Sequence, residues 1–509
     1  MQNEVPEASA AAPARAPRLA RLRGLIRVNW LFSIFLAAGA VIRLIVVLGY
    51  PGALWFQGDT YVYIGAALRL QPNLSKTTGY SLYLKALEPF HSFTLVTITQ
   101  HLMGLAMAVM LYALLRRARV RRWIAALATA PILFNAFEIQ LEHMIMADLL
   151  FEFCALAAAT LLLWNRKPSW RNVLIAGLIT GYACTIWSGG LLLPVIFVLF
   201  VLWRRMGWRP LAAIVAGCAI PLVAYASWFG SVQGNFAMTN SEGFYLYART
   251  TSFSDCSKFT PPQGLSYLCV PIPLDKRTPP GALVWHLKQV HEVPGGPVSV
   301  QGDKDLREFA LAAIEGQPLS YAHAIVKGLV LSVDWKRYDY PSYGTVYEYY
   351  FHTKPIRVPP DHTWIKGGTA TEDIRAYGHQ GIGRTVKPFD QLMSGYSRII
   401  YLYGPLFGII LFLGLGSLVR VYRRDGHLRI GRWRDSVSMM PFVCAVALLL
   451  FPIMVSDFDY RYLLPVVPFA CLAAGLAFSS PTSRGGPEAD PSPEGAAADV
   501  PGRTEVTTS

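Results

Sequence analysis

The sequence predicts an all-α polytopic membrane protein of about ten transmembrane helices, with a mixed extracytoplasmic loop domain. Three observations lead there. Apolar runs of roughly 20 residues recur along the chain, the length a helix needs to cross a hydrocarbon core about 30 Å thick. Only 15% of the 509 residues are charged, against about 25% in an ordinary soluble domain. Arginine, finally, concentrates in tails and short loops between the apolar runs, the positive-inside pattern that sets orientation. The net charge of +14 is therefore topology and excludes nucleic acid as a partner.

Residues 1–27, rich in Ala, Pro and Arg, are predicted to be a disordered cytoplasmic tail. Spans are predicted near 28–48, 95–115, 123–138, 144–164, 172–187, 189–203, 210–229, 395–419, 435–456 and 462–480. Basic loops at 116–122, 165–171, 204–209 and 420–434 alternate with outer segments, which puts both termini in the cytoplasm. The pair 172–203 is short in each half and interrupted by "WSGG", so it reads as either a tight hairpin or a re-entrant unit. Two outer segments are long: 49–94, inside a core predicted over 28–229, and 230–394, a loop domain before the closing helices at 395–480. Within the second, "DLREFALAAIEGQPLSYAHAIVKGL" has helical apolar spacing broken at Gly316 and Pro318. Residues 481–509 read as a second disordered tail.

Five cysteines (Cys154, Cys184, Cys218, Cys444 and Cys471) fall in spans as small apolar fillers. Cys256 and Cys269 share the large outer loop, where an oxidising environment favours a disulfide.

Ionisable residues gather at the predicted outer rim. Asp59, in "FQGDTYVYIGAALRL", is a plausible helix N-cap and equally a lone reactive carboxylate. Asp148, in "EIQLEHMIMADLLFEF", falls about one turn inside a span, with Glu142 and His143 at its mouth and Glu152 one turn deeper. A carboxylate there either complements a helix N-terminus or serves a site, because charge inside a span is costly. Glu152 is also a candidate partner for Arg43. Lys76 and Lys85 flank "TTGYSLYLKAL" with Tyr80 between them, and Arg461 and Tyr462 open the last span in "DFDYRYLLPVVPF". Singly such cations are snorkelling side chains. Together they fit a phosphorylated amphiphile at the outer leaflet.

The Gly-Asp of the first outer loop, "GYSLYLKAL", "HMIMADLLFE" and "RYLLPVVPF", in this order, resemble the C-type (GT-C) membrane glycosyltransferases, in the branch of bacterial protein O-mannosyltransferases and the aminoarabinose transferase. The resemblance covers 28–229 and 395–480. It implies a polyprenyl-phosphate-linked sugar donor, a protein, polysaccharide or lipid acceptor, and inverting transfer outside the cytoplasm of a bacterial cell membrane. By it Asp59 is the base and Asp148 orients the acceptor or a catalytic loop. Lys76 or Lys85, with Arg461, would neutralise the leaving phosphate, while Tyr80, Glu142, His143 and Tyr462 line the substrate. The chain departs from the pattern in lacking an arginine within "ACTIWSGGLLLP" and an acidic partner beside Asp59, which Thr60 follows. No cofactor is certain. A divalent metal ion would find only Glu142 and His143, fewer ligands than a site needs.

Two other readings stay open. A transporter or flippase of a lipid-linked saccharide would show inverted repeats and matched broken helices, neither of which the sequence displays. A membrane acyltransferase would need an interior histidine, for which His101 is the candidate.

Overall fold

The apolar runs fold as helices, and the proline, glycine and asparagine positions between them decide where each one stops. The computed structural model describes residues 23–24, 26–56, 58–354, 368–378, 383–423 and 438–479. The predicted tail 481–509, most of the predicted tail 1–27 and most of the basic loop 420–434 lie outside the described residues, while residues 23, 24, 26 and 27 of the first tail are helical.

The first half comprises α1 (Trp30–Gly49), α2 (Asp59–Arg69), α3 (Gly79–Leu87), α4 (Phe93–Arg117), α5 (Arg122–Ala128), α6 (Ala130–Phe134), α7 (Ala136–Glu142), α8 (Asp148–Trp164), α9 (Trp170–Ile186), α10 (Leu192–Trp203) and α11 (Trp208–Gln233). The outer loop contributes α12 (Glu242–Thr250), α13 (Val300–Gly316), α14 (Pro318–Val333) and α15 (Ala370–Gly378). The closing helices are α16 (Phe389–Ile399), α17 (Gly404–Arg423), α18 (Met439–Val455) and α19 (Val467–Leu476), the last entered through a 3₁₀ segment, Tyr460–Val466.

Among the described residues three helices, α1, α4 and α11, are long and apolar enough to cross a membrane, and a fourth span exists if the pair Phe389–Ile399 and Gly404–Val419 counts as one. Large apolar side chains such as Leu44, Val195, Ile220 and Phe412 stand exposed on the outer faces of α1, α10, α11 and α17. Water would not tolerate such faces, but lipid does.

Several expectations are corrected. The predicted span 123–138 is three short helices, because Pro131 starts α6 and Asn135 caps α7, its side chain accepting from the Phe137 amide at 3.3 Å. The span at 395–419 is bent by 60° ahead of Gly404 and Pro405. The 12 residues of α10 reach about 18 Å at 1.5 Å per residue, short of a full crossing, and a 3₁₀ turn at Ser188–Leu191 joins it to α9. The outer loop, expected to be mixed, holds no strand among its described residues. Its predicted helix is present and broken where Gly316 and Pro318 require, into α13 and α14. That loop has its own apolar core around Phe244, Tyr247, Leu306 and Phe309, and the Cys256–Cys269 disulfide closes one of its segments.

Candidate active site

Asp59 is placed by backbone pairing. Leu54 donates to the His143 carbonyl at 2.9 Å, and Ile145 donates back to the Leu54 carbonyl at 3.3 Å, a short parallel bridge. Thr60 fastens the far end, its hydroxyl donating to the Ile145 carbonyl at 3.1 Å. The segment thus tied to 143–147 leads directly into Asp59 on one strand of chain and Asp148 on the other. Gly58, at φ +92°, takes the cap position of α2 in a conformation that suits glycine. The N-cap reading of Asp59 is therefore corrected: Gly58 holds the cap position and Asp59 is the first helical residue.

Its carboxylate is spent on two cations instead. Lys76 Nζ meets Oδ1 and Arg461 Nη1 meets Oδ2, each at 2.6 Å. Burial works to raise the Asp59 pKa, but the Lys76 and Arg461 charges outweigh it and hold the carboxyl at about 2. For Lys76 the order repeats: desolvation opposes its charge, and Asp59 more than restores it. Lys76 sits in a turn shaped by Asn73, whose side-chain oxygen accepts from the amides of Ser75 and Lys76 at 2.8 and 3.1 Å. α3 then starts at Gly79, where a Cβ would fall 2.5 Å from Thr185 of α9.

Arg461 lies over the rings of Phe56 and Tyr462, at 5.1 and 5.3 Å. Tyr462 stacks on Trp187 at 5.9 Å, and Phe56 on Tyr349 at 5.6 Å. These rings wall the cation on its apolar side. Its Nε remains buried without a hydrogen-bond partner, 3.8 Å from Asp459 Oδ2. Asp459 caps the 3₁₀ segment through the Arg461 amide at 3.1 Å and accepts from the Tyr349 hydroxyl at 2.6 Å. Burial pushes Asp459 up to about 6, against the pull of Arg461. Asp148 opens α8, as a helix N-terminus favours, and its charge is felt at Tyr63, Arg461 and Asp459.

The remaining expected residues divide. Tyr80 is buried and donates to Gln100 at 2.7 Å; Gln100 in turn donates to the carbonyls of Glu142 and Met144, both at 2.8 Å. It therefore fixes the turn that carries Asp148. Glu142 is chelated by Arg43 through Nε at 2.7 Å and through Nη2, and it faces His101 Nδ1 at 2.7 Å. The expected Arg43–Glu152 pairing is thus corrected, and Glu152 lies instead against Glu138 in the core. His143 Nε2 meets the Tyr50 carbonyl at 2.7 Å, and its Nδ1 meets His101 Nε2 at 2.9 Å. A carbonyl only accepts, so His143 donates through Nε2 and accepts through Nδ1. Lys85 pairs with Glu88 on its own helix end. Glu142, His143 and Lys85 thus have partners outside the Asp59 cluster.

Sequence reasoning passed over Asp459 and Tyr349. The signal for Asp459 was present, since "DFDYR" sets two carboxylates just ahead of the site arginine; a tyrosine 110 positions away offered none. Among the described residues no three His, Cys, Asp or Glu side chains gather as a metal site.

No family profile and no curated protein matches the chain. Three solved structures of the oligosaccharyltransferase of Archaeoglobus fulgidus are similar to it. One, tethered to an acceptor peptide containing the NVT sequon, has a TM-score of 0.42 and 12% identity over 89% of this chain and 50% of that one. AglB in complex with an inhibitory peptide and a dolichol-phosphate gives 0.39 and 13% over the same shares. The apo form gives 0.38 and 11%, over 87% of this chain and 50% of that one. This chain spans about half the length of those proteins. A functional reading rests on the geometry around Asp59 rather than on this likeness.

Proposed function

We propose that the protein is an inverting membrane glycosyltransferase that moves a sugar from a polyprenyl-phosphate carrier to an acceptor hydroxyl on the extracytoplasmic face. The observation that supports it is one carboxylate, Asp59, clasped by two cations at 2.6 Å beside an aromatic wall in the first outer segment. The arrangement supplies what the reaction needs. The acceptor oxygen attacks the anomeric carbon, the bond from that carbon to the carrier phosphate breaks, and the hydroxyl proton passes to Asp59.

A carboxyl held at about 2 is a poor base while both cations stay on it. The donor phosphate changes that balance. Its oxygens compete for Lys76 and Arg461, and as the glycosidic bond breaks the phosphate gains charge and draws them further. Asp59 becomes more basic as the leaving group needs more neutralisation, so the same two cations serve both steps. Asp148 would orient the acceptor or a catalytic loop.

The test is sugar transfer by purified protein from a panel of prenyl-phosphate-linked sugars, wild type against Asp59→Asn. The variant should lose transfer by about 10²–10⁴-fold while inserting and folding normally. Transfer at the wild-type rate by Asp59→Asn would end the assignment. Cytoplasmic labelling of residues 49–94 would remove its setting.

A further inference from the structure

A cavity of about 870 Å³ lies near Asp457, between the 249–280 stretch of the outer loop and α14. Its size suits a small-molecule site. One wall is the segment around Phe253 and Lys258, where the Cys256–Cys269 disulfide loop begins, braced by Arg277, whose guanidinium donates to the carbonyls of Thr251, Ser254, Val270 and Ile272 at 2.7–3.2 Å. The facing wall is one side of α14, where His323 and Lys327 are exposed between the small residues Ala324 and Gly328.

The lining is strongly cationic. Among the described residues it holds Arg249, Lys258, Arg277 and Lys327 against one carboxylate, Asp334, which accepts from the Tyr338 hydroxyl at 3.2 Å. Two of those cations are engaged, Arg277 on carbonyls and Lys258 with Asp255 at 3.3 Å. Lys327 meets no carboxylate among the described residues. Arg249 is the more telling case, being only 2% exposed. Its Nε and Nη2 have no hydrogen-bond partner, and its one counter-ion, Asp457, stands 3.6 Å from Nη1. Asp457 is committed elsewhere, to the Tyr340 hydroxyl at 2.5 Å and to the amides of Phe458 and Gly281 at 2.8 and 2.9 Å. A buried guanidinium left with open donors is costly unless something supplies the acceptors.

We propose that this cavity binds a phosphate group between Arg249 and Lys327, presented at the membrane surface by an anionic lipid headgroup or by a soluble phosphate ester. A phosphate matches the lining better than a carboxylate does. It offers three oxygens and up to two charges to a guanidinium fork, an ammonium and the hydroxyls of Thr278 and Ser320. The level of the site follows from α14, which packs on α17 and α18 and exposes Leu319, Val326 and Val330. Apolar lining from Phe253, Leu319 and Leu331 would take the remainder of such a ligand. The inference is independent of sugar transfer, although the 457–461 segment joins the two sites.

Full-length protein in neutral-lipid nanodiscs is titrated with two probes, dihexanoyl phosphatidylglycerol and glycerol 3-phosphate, with bound probe counted by native mass spectrometry. At least one should bind, and about tenfold more weakly to Lys327→Gln, an exposed position that leaves folding intact. Arg249→Lys, which keeps the charge and loses the fork, should weaken it as well, while the distant Lys288→Gln should not. Binding of the lipid alone assigns the headgroup as source, and binding of the ester alone assigns a soluble ligand. Asp59→Asn should bind as the wild type does, which separates this site from the transfer site. Binding of neither probe, or binding by Lys327→Gln and Arg249→Lys as tight as that of the wild type, overturns the proposal.

Discussion

Two charged clusters flank the backbone pairing of Leu54 with His143 and Ile145 and answer opposite demands. In the Arg43–Glu142–His101–His143 cluster the carboxylate oxygens of Glu142 and both ring nitrogens of each histidine have partners, and all four residues are at most 4% exposed. In the Asp59–Lys76–Arg461–Asp459 cluster the cations are 13–20% exposed at their side chains, and the Arg461 Nε is unpartnered. The first is a closed circuit that holds the 142–148 turn. The second has valence to spare, which a substrate can use. Charge density alone does not separate a site from a strut, whereas unfilled hydrogen-bonding capacity does.

The largest effects should therefore differ in kind. Glu142→Gln leaves Arg43 charged, buried and short of its partner, a change expected to cost about 3–5 kcal/mol. Little folded protein should be recovered, as read by fluorescence-detected gel filtration and thermal melting. Asp59→Asn should instead cost activity first. Its stability signature has a definite sign: the folded pKa of about 2 lies below the ordinary value near 4, so the stabilisation is present above about pH 4 and is lost as pH falls toward 2. The wild-type advantage in melting temperature over Asp59→Asn should shrink across that window. If Glu142→Gln folds normally yet loses transfer, the two clusters have been assigned the wrong way round.

Asp459 sharpens the comparison because it neighbours the same arginine with the opposite shift. Its pKa of about 6 means that the folded state binds a proton there while the unfolded chain, near 4, does not. Stability should thus rise as pH falls from about 6 to 4, and transfer should show a limb near pH 6 as Asp459 loses its charge and weakens its hold on Arg461. Asp459→Asn should flatten that limb in a pH–rate profile. A limb that persists unchanged belongs to another group.

The sequence carried the parts of this picture that depend on local pattern. The apolar runs, the break at Gly316 and Pro318 and the outer-loop cysteine pair each follow from residues close together in the chain. Arg461 reaches Asp59 across 402 positions, and only the order of the motifs, through the family resemblance, put the two in one site. Arg43 and Glu142, 99 positions apart, share no local pattern, and the expectation fell on Glu152 instead. The breaks at Pro131, Asn135 and Gly404 were written in the sequence, yet hydropathy averages over single residues. Residues at the start of the 239–256 stretch brace the Lys76 turn: Asn240 donates to the Leu74 carbonyl at 2.7 Å and Ser241 to that of Ser75 at 2.9 Å. Such bonds between distant loops leave no periodicity to read.

The smallest predicted effect is also the most discriminating between two lysines that the sequence treated alike. Lys76 bonds the site carboxylate at 20% side-chain exposure, whereas Lys85, at 34%, pairs with Glu88 three residues on. Lys76→Gln removes a charge from where the leaving phosphate develops its own, and by analogy with the loss of one oxyanion donor should slow transfer about a hundredfold. Lys85→Gln removes one exposed pair of the kind worth about 0.3–0.5 kcal/mol and should leave transfer within about twofold. Measured side by side under single-turnover conditions, the two rates test the partition directly. Were Lys85→Gln as slow as Lys76→Gln, the donor phosphate would have to reach the far end of α3, and a site centred on Asp59, Lys76 and Arg461 alone would be too small to hold it.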